Sequence, residues 1–343
     1  METDLQGIKG SKTMYLDSLG RILDVIEEKD PLTGNDVCLT INHDLQIGIY
    51  HLIEQNLAGI LIDKLENSKV YNLYQKNLEK IFSEELSKIV NNLKINKDDF
   101  GLIVGLGNPK STPDSLGPLT INNILVTNHL YLLDELDKGF RRVSAISPGV
   151  TGQTGLETSD LIKGVVDIFK PNFLIIIDAL ASQSVERLNK TIQITDTGIH
   201  PGSGVGNSRK EISYDTLNIP CIAIGVPTVL DAVTIVSDTI NYMYKHYTYS
   251  KNNKDNPMNK LMIGNPNYLN KNVEVNKEDK KQLLGIVGTL EDSEVRELLL
   301  EVLTPIGYNM MVTQKEVDFL MEKLSLIIAN GINMTLHDRV DKK

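Results

Sequence analysis

The chain has 343 residues, of which 41% are hydrophobic and 23% charged, a balance typical of a globular rather than a disordered protein. Its formal net charge is -10 and it has no long basic run, which argues against direct nucleic-acid binding. No stretch approaches ~20 uninterrupted apolar residues, so we expect no membrane contact and a cytoplasmic location. Cys38 and Cys221 are far apart, which argues against a disulfide framework and a cysteine-based metal site.

The first 68 residues have the pattern of short strands followed by a helix. MYLDSLGRILDVIE predicts two strands joined by a tight turn at 18–20, and DVCLTI predicts a third strand. Apolar residues then recur at helical spacing over 43–65. The sequence therefore predicts a short β-rich segment at the N-terminus.

From about residue 70 to residue 247, predicted strands alternate with predicted helices. The strands are GLIVGLG, RVSAIS, FLIIIDAL, TIQITD and PCIAIGVP. FLIIIDAL is almost entirely apolar, as expected of a central strand buried on both faces, whereas the alternating TIQITD favours a place nearer the sheet edge. This order predicts an α/β fold with a doubly wound, mostly parallel sheet flanked by helices.

Helical patterns lie between these strands and continue towards the C-terminus. They cover residues 73–93, 114–136, 158–169, 228–247, 291–303 and 313–336. Thr158 or Ser159 is the predicted N-cap of the third helix. The intervening segment 250–281 is rich in Asn and Lys, which predicts a mobile excursion.

Two aspartates follow strands of the predicted sheet. Asp178 ends FLIIID, and Asp114 lies in the loop after LIVGLG. Because the functional crevice of a doubly wound sheet lies beyond the carboxyl ends of its strands, we expect the two carboxylates at one edge. Such a pair can share a proton and hydrolyse a peptide bond, with one group as base and the other as acid. Alternatively, Asp114 is only a helix N-cap and Asp178 only a strand-end turn residue.

The loop TDTGIHPGSGVGN is the second candidate for function. It contains Asp196 and His200, which are candidate supporting or metal-binding residues, although His200 is equally well explained as an ordinary loop histidine. Three of its glycines are candidate positions at which backbone amides could approach a substrate, namely Gly202, Gly204 and Gly206. A nucleophile elbow requires glycine two residues to either side of the serine, but those positions around Ser203 are Pro201 and Val205. The Gly105-Leu-Gly107 pattern is too incomplete for a dinucleotide site.

Several long motifs resemble those of the germination protease family of spore-forming bacteria: VGLGNPKSTPDSLGP, SAISPGVTGQTGLETSD, IIIDALASQSVERLNKTIQITDTGIHPGSGVGNSRKEIS and IPCIAIGVPTVLDAVTIVSDTI. The resemblance extends from about Tyr71 to the C-terminus. It implies an atypical aspartic endopeptidase, tetrameric and located in the spore core, that degrades small acid-soluble spore proteins. Its two implicated catalytic aspartates correspond to Asp114 and Asp178. It also implies zymogen control through a propeptide.

The family implies no cofactor, but its fold is similar to that of the hydrogenase-maturation endopeptidases, which bind a metal. That similarity keeps a metal-assisted endopeptidase, with His200 as a ligand, as an alternative.

Residues 1–68 depart from the family and resemble the start of a class B penicillin-binding protein transpeptidase domain. The nucleophile motifs of that domain do not follow, so this part is expected to be non-catalytic. The sequence thus predicts a chimera of a 1–68 fragment and a 69–343 peptidase domain. A rival interpretation is a disabled protease that acts only as a binding or assembly module.

Overall fold

The computed structural model describes residues 11–16, 22–29, 69–202, 209–252, 273–303 and 310–340. These belong to two compact units, an N-terminal hairpin and an α/β domain. The hairpin consists of β1 (Ser11–Leu16) and β2 (Ile22–Lys29), which pair antiparallel as the sequence predicts. The predicted turn at 18–20, the third strand and the helix at 43–65 lie outside the described residues.

The α/β domain is built on a six-stranded mixed sheet. Its strands are β3 (Gly101–Gly105), β4 (Val143–Ile146), β5 (Phe173–Ser182), β6 (Gln193–Thr195), β7 (Cys221–Asp231) and β8 (Met311–Val312). The order is β4-β3-β5-β7-β6, and β8 pairs with the end of β7. The first four strands in this order are parallel, and β6 and β8 are antiparallel to β7. The predicted α/β class is confirmed, with β5 central and β6 at the edge.

The helices of the described residues flank this sheet. They are α1 (Lys69–Asn92), α2 (Leu116–Ile121), α3 (Asn128–Leu132), α4 (Thr151–Thr154), α5 (Thr158–Phe169), α6 (Tyr214–Leu217), α7 (Ala232–Asn252), α8 (Lys277–Leu284), α9 (Asp292–Leu303) and α10 (Val317–Leu336). None of these is long and apolar enough to cross a membrane.

Alternate residues of β5 face two different cores. Phe173, Ile175 and Ile177 pack with α1, α2 and α10 on one face. Leu174 and Ile176 pack with α5 on the other face. Because both faces are covered by apolar side chains, β5 carries no polar alternation until Asp178. This explains why the continuous apolar run predicted the centre of the sheet.

Two predicted helices have different bounds in the structure. The helix expected from residue 228 begins only at Ala232, because β7 continues to Asp231 in register with the end of β5. The helix expected over 114–136 is divided into a 3-10 turn at Thr112–Asp114, α2 and α3. In both places apolar spacing alone did not distinguish the backbone conformations.

Two smaller expectations also differ, and the mobility predicted for 250–281 stays a prediction. The N-cap of α5 is Glu157, without a side-chain cap bond, rather than Thr158 or Ser159. The last helix begins at Val317 instead of residue 313, with residues 313–316 between it and the end of β8 (Met311–Val312). Of the segment 250–281, the first three residues belong to α7 and the last five to α8, while 253–272 lies outside the described residues.

Candidate active site

The chain turns sharply at Gly107, just after β3. The Leu106 N–H donates to the Ile177 carbonyl at 2.8 Å, and this is the last bond from this chain segment to β5. Gly107 then adopts a φ of 116°, and a Cβ there would lie 2.0 Å from the backbone oxygen of Asp114. Only glycine fits such a position without strain. The turn therefore lets the chain fold back and bring Asp114 to the end of β3.

Asp114 is half-buried at the end of the 3-10 turn. The Asn108 N–H donates to Asp114 Oδ2 at 2.9 Å and also to the Asp114 backbone oxygen at 2.9 Å. Burial raises the pKa of this carboxyl, and the hydrogen bond from Asn108 opposes that rise. Ser115, not Asp114, is the N-cap of α2. The interpretation of Asp114 as a simple helix cap is therefore wrong.

Asp178 lies within β5, because the strand runs four residues beyond it to Ser182. It is only 6% exposed. Burial and then the charge of Asp114 raise the pKa of Asp178 to about 7, while the Ala179 N–H, which donates to Oδ1 at 2.9 Å, opposes the rise. Asp178 is consequently not a strand-end turn residue. It is a buried carboxyl whose ionisation is linked to Asp114.

Both aspartates line one cleft of about 570 Å³ at the carboxyl edge of the sheet. The structure therefore brings together the pair that the sequence placed at this edge. His200 and Gly202 line the same cleft from the loop after β6, and Gly202 has a φ of 72°. Gly204 and Gly206 lie outside the described residues.

The other loop candidates do not converge on the carboxyl pair. The side chain of His200 is 59% exposed, and its Nε2 lies 3.6 Å from Glu211 Oε2. Asp196 is exposed and does not line the cleft. Within the described ranges, no three His, Cys, Asp or Glu side chains are grouped so that they could hold a metal ion. Asp114, Asp178 and His200 thus share a cleft without forming a metal-binding group.

Arg209 and Thr228 are among the cleft residues that were not predicted from the sequence. Arg209 contacts the Thr151 hydroxyl through Nη1, and the same nitrogen lies 3.7 Å from Glu157 Oε2. Thr228 is fully buried, and its hydroxyl has no hydrogen-bond partner among the described residues. The proximity of Arg209 to the glycine-rich loop could have indicated its place. Nothing in the pattern indicated Thr228, because that residue was assigned to a helix.

Comparison with known proteins identifies relatives over most of the chain. The sequence model of the family described as Germination protease matches residues 60–343. The germination protease of Bacillus subtilis strain 168 is 50% identical over 277 residues, which are 78% of this chain and 75% of the relative. That of Bacillus licheniformis is 52% identical over 278 residues, 79% of this chain and 75% of the relative.

Among solved structures, the NiFe hydrogenase maturation protease HycI from Thermococcus kodakarensis is similar at 15% identity. The match covers 41% of this chain and 80% of that chain, with a TM-score of 0.28. A similarity this low carries no argument about the present site, whose geometry comes from its own strands and loops.

We expect Asp178→Asn to stabilise the fold at alkaline pH. A raised pKa means that the folded state favours the protonated carboxyl, so its stability contribution is present at acid pH and is lost as the pH rises through about 7. Asparagine mimics the protonated form. Relative to the wild type, the variant should gain roughly 2–4 kcal/mol in unfolding free energy between pH 5 and pH 8.5, measured by urea unfolding.

The matched control is Asp196→Asn, which removes an exposed carboxyl outside the cleft. Its unfolding free energy should follow the wild type across the same pH range. An equal response of the two variants would contradict the assignment of the raised pKa to Asp178.

Proposed function

Because this chain belongs to the germination protease family, we propose that it is an endopeptidase that cleaves small acid-soluble spore proteins during germination, with Asp114 and Asp178 as its catalytic pair. The family relation makes it a peptidase and therefore a hydrolase. The catalytic part of the proposal is supported by one observation above all. Two carboxyls line one cleft, and the charge of Asp114 helps to raise the pKa of the buried Asp178 to about 7.

The difference in environment assigns opposite roles to the two carboxyls. Asp178 is the more deeply buried, so it retains its proton to higher pH and acts as the acid. Burial raises the pKa of Asp114 as well, but this carboxyl is only half-buried and the hydrogen bond from the Asn108 N–H opposes the rise, which suits it as the base. Pairs of carboxyls whose environments separate their pKa values commonly divide acid and base roles in this way.

Hydrolysis through this pair proceeds in two steps, the addition of water to the carbonyl and the collapse of the resulting gem-diol. Asp114 accepts a proton from a water molecule as the water oxygen bonds to the scissile carbonyl carbon, while Asp178 donates its proton to the carbonyl oxygen. The resulting gem-diol then collapses. One hydroxyl proton returns to Asp178, the C–N bond breaks, and the leaving nitrogen takes the proton held by Asp114. The products are a carboxylic acid and an amine, and both aspartates regain their starting states.

The resemblance supports further proposals about the setting of this reaction. They are location in the spore core, assembly as a homotetramer and control through a zymogen. The exposed apolar side chains of Leu132 and Leu133, which are 67% and 65% accessible, are the kind of surface that a subunit contact covers.

The first experiment replaces each aspartate singly. Asp114→Asn and Asp178→Asn should each reduce kcat for a small acid-soluble spore protein by at least ~100-fold, because each removes one proton-transfer step. In the wild type, kcat should fall as the pH rises above about 7, since Asp178 then loses its proton. Fragments are followed by mass spectrometry, with Asp196→Asn as the control. Full activity in either cleft variant would contradict the dyad.

The second experiment concerns the metal-assisted alternative. The proposal includes no metal, so dialysis of the wild type against a chelator should leave the cleavage rate unchanged. Loss of cleavage that is restored by adding Zn²⁺ would favour the metal-assisted mechanism instead.

The chimeric organisation is also part of the proposal. Residues 1–68 are proposed to be a non-catalytic fragment that resembles a penicillin-binding protein, and 69–343 the peptidase domain. The family match, which begins at residue 60, supports the peptidase domain and not the resemblance of the N-terminal fragment.

The third experiment tests whether the N-terminal part disables the enzyme. A version in which residues 1–68 are replaced by the N-terminal residues of the Bacillus licheniformis relative is compared with the full chain. We expect both to cleave the spore protein, because both contain the complete carboxyl pair. Cleavage by the replaced version alone would support the rival interpretation of a binding or assembly module.

A further inference from the structure

Strand β5 extends past its neighbour β3 at the cleft. Pairing of β3 with β5 ends at Gly105 opposite Ile177. Pairing of β5 with β7 continues from there to Ser182 opposite Leu230. One edge of the segment from Asp178 to Ser182 is therefore paired with β7. The other edge has no strand beside it among the described residues.

The direction of the backbone groups along β5 follows from two hydrogen bonds. The Leu174 N–H donates to the Pro220 carbonyl at 2.9 Å, so even-numbered residues present their backbone groups to β7. The Ile177 carbonyl accepts from Leu106 at 2.8 Å, so odd-numbered residues face β3. Beyond Ile177 the odd-numbered residues are Ala179 and Ala181. Their groups point into the position that β3 would occupy if it continued.

These backbone groups have few hydrogen-bond partners within the described part of the chain. The Ala179 N–H is used by the Asp178 carboxyl. Outside the pairing of β5 with β7, no backbone hydrogen bond there involves the Ala179 carbonyl, the Ala181 N–H or the Ala181 carbonyl. An unpaired strand edge of this kind is a template for another extended chain.

The vacant strand position coincides with the cleft of the carboxyl pair. The turn at Gly107 takes the chain away from the line of β3, and both Gly107 and Leu106 line the cleft. Ala179, Leu180 and Ala181 line it along β5. A chain placed beside Ala179 and Ala181 would thus lie next to Asp114 and Asp178.

We infer that the substrate binds as an added β-strand along the free edge of β5, hydrogen-bonded to the backbone of Ala179 and Ala181. This inference rests on the proposed peptidase function and specifies how that site takes its substrate. Main-chain hydrogen bonds supply binding in this mode, and alternate side chains of the peptide face opposite sides of the sheet. The substrate class is a protein segment that is extended and unfolded at the cleavage point. A segment held in a folded helix cannot present the required N–H and carbonyl groups.

The inference is tested first on the substrate. A peptide that spans one site cut by the wild-type chain in a small acid-soluble spore protein is synthesised with a single N-methyl group at each position in turn. Because alternate N–H groups of a strand face one neighbour, kcat/KM should fall about tenfold at every second position and change little between them. A loss without this two-residue period, or no loss at all, would overturn the inference.

The second test is on the protein. Ala181→Pro removes the N–H that faces the cleft and leaves the pairing of β5 with β7, since proline is tolerated where the N–H does not bond within the sheet. KM for the parent peptide should rise about tenfold with kcat nearly unchanged. Asp196→Asn, which changes an exposed residue outside the cleft, is the control, so its KM should stay near that of the wild type. Equal KM values for the two variants would contradict the inference.

An unfolded Ala181→Pro variant and an inactive wild-type chain are recognised separately from the outcomes above. Thermal unfolding establishes whether Ala181→Pro is folded, and if it is not, the N-methyl series on the wild type decides alone. A wild-type chain that cleaves neither the spore protein nor its peptides contradicts the proposed function itself, and the strand-addition inference falls with it.

Discussion

The burial of one carboxyl, Asp178, beside the charge of another is the constraint on which the site depends. Placing a carboxyl in the interior of β5 is costly when it is ionised, so the fold favours its protonated form. The same environment that makes Asp178 unfavourable as an anion makes it a proton donor near neutral pH. The fold therefore loses stability at alkaline pH, as is common where a functional site contains a desolvated group.

Backbone geometry, rather than additional charged side chains, arranges the rest of the site. The left-handed turn at Gly107 returns the chain so that Asp114 meets the end of β3. That turn also ends the pairing of β3 with β5, which leaves the edge of Ala179 and Ala181 open. One glycine thus positions Asp114, the proposed catalytic base, and leaves room beside β5 for the extended peptide that we infer. Across the strand, Thr228 is an extra residue in β7 between the partners of Leu180 and Ala181, a bulge of the sort often found near active sites.

Much of the framework could be predicted from local pattern. FLIIIDAL predicted a central strand because β5 is apolar on both faces, and the end of GLIVGLG correctly placed Asp114 near the same edge. The pattern failed where local signals are ambiguous. Residues 228–231 fit a helix by their apolar spacing, yet pairing with β5 holds them in β7. Asp196 and His200 seemed equally placed in one loop, but only His200 lines the cleft.

The sequence by itself determined the α/β class, the central place of β5 and the placement of Asp114 and Asp178 at one edge of the sheet, because apolar runs and their ends are local properties of the chain. The tertiary structure alone decided that Asp178 lies inside a longer strand, that Asp114 does not cap a helix and that one edge of β5 is open. Those features depend on which strands stop first and on how deeply a carboxyl is buried. Both are set by packing between segments that are distant in sequence, so no local pattern contains them.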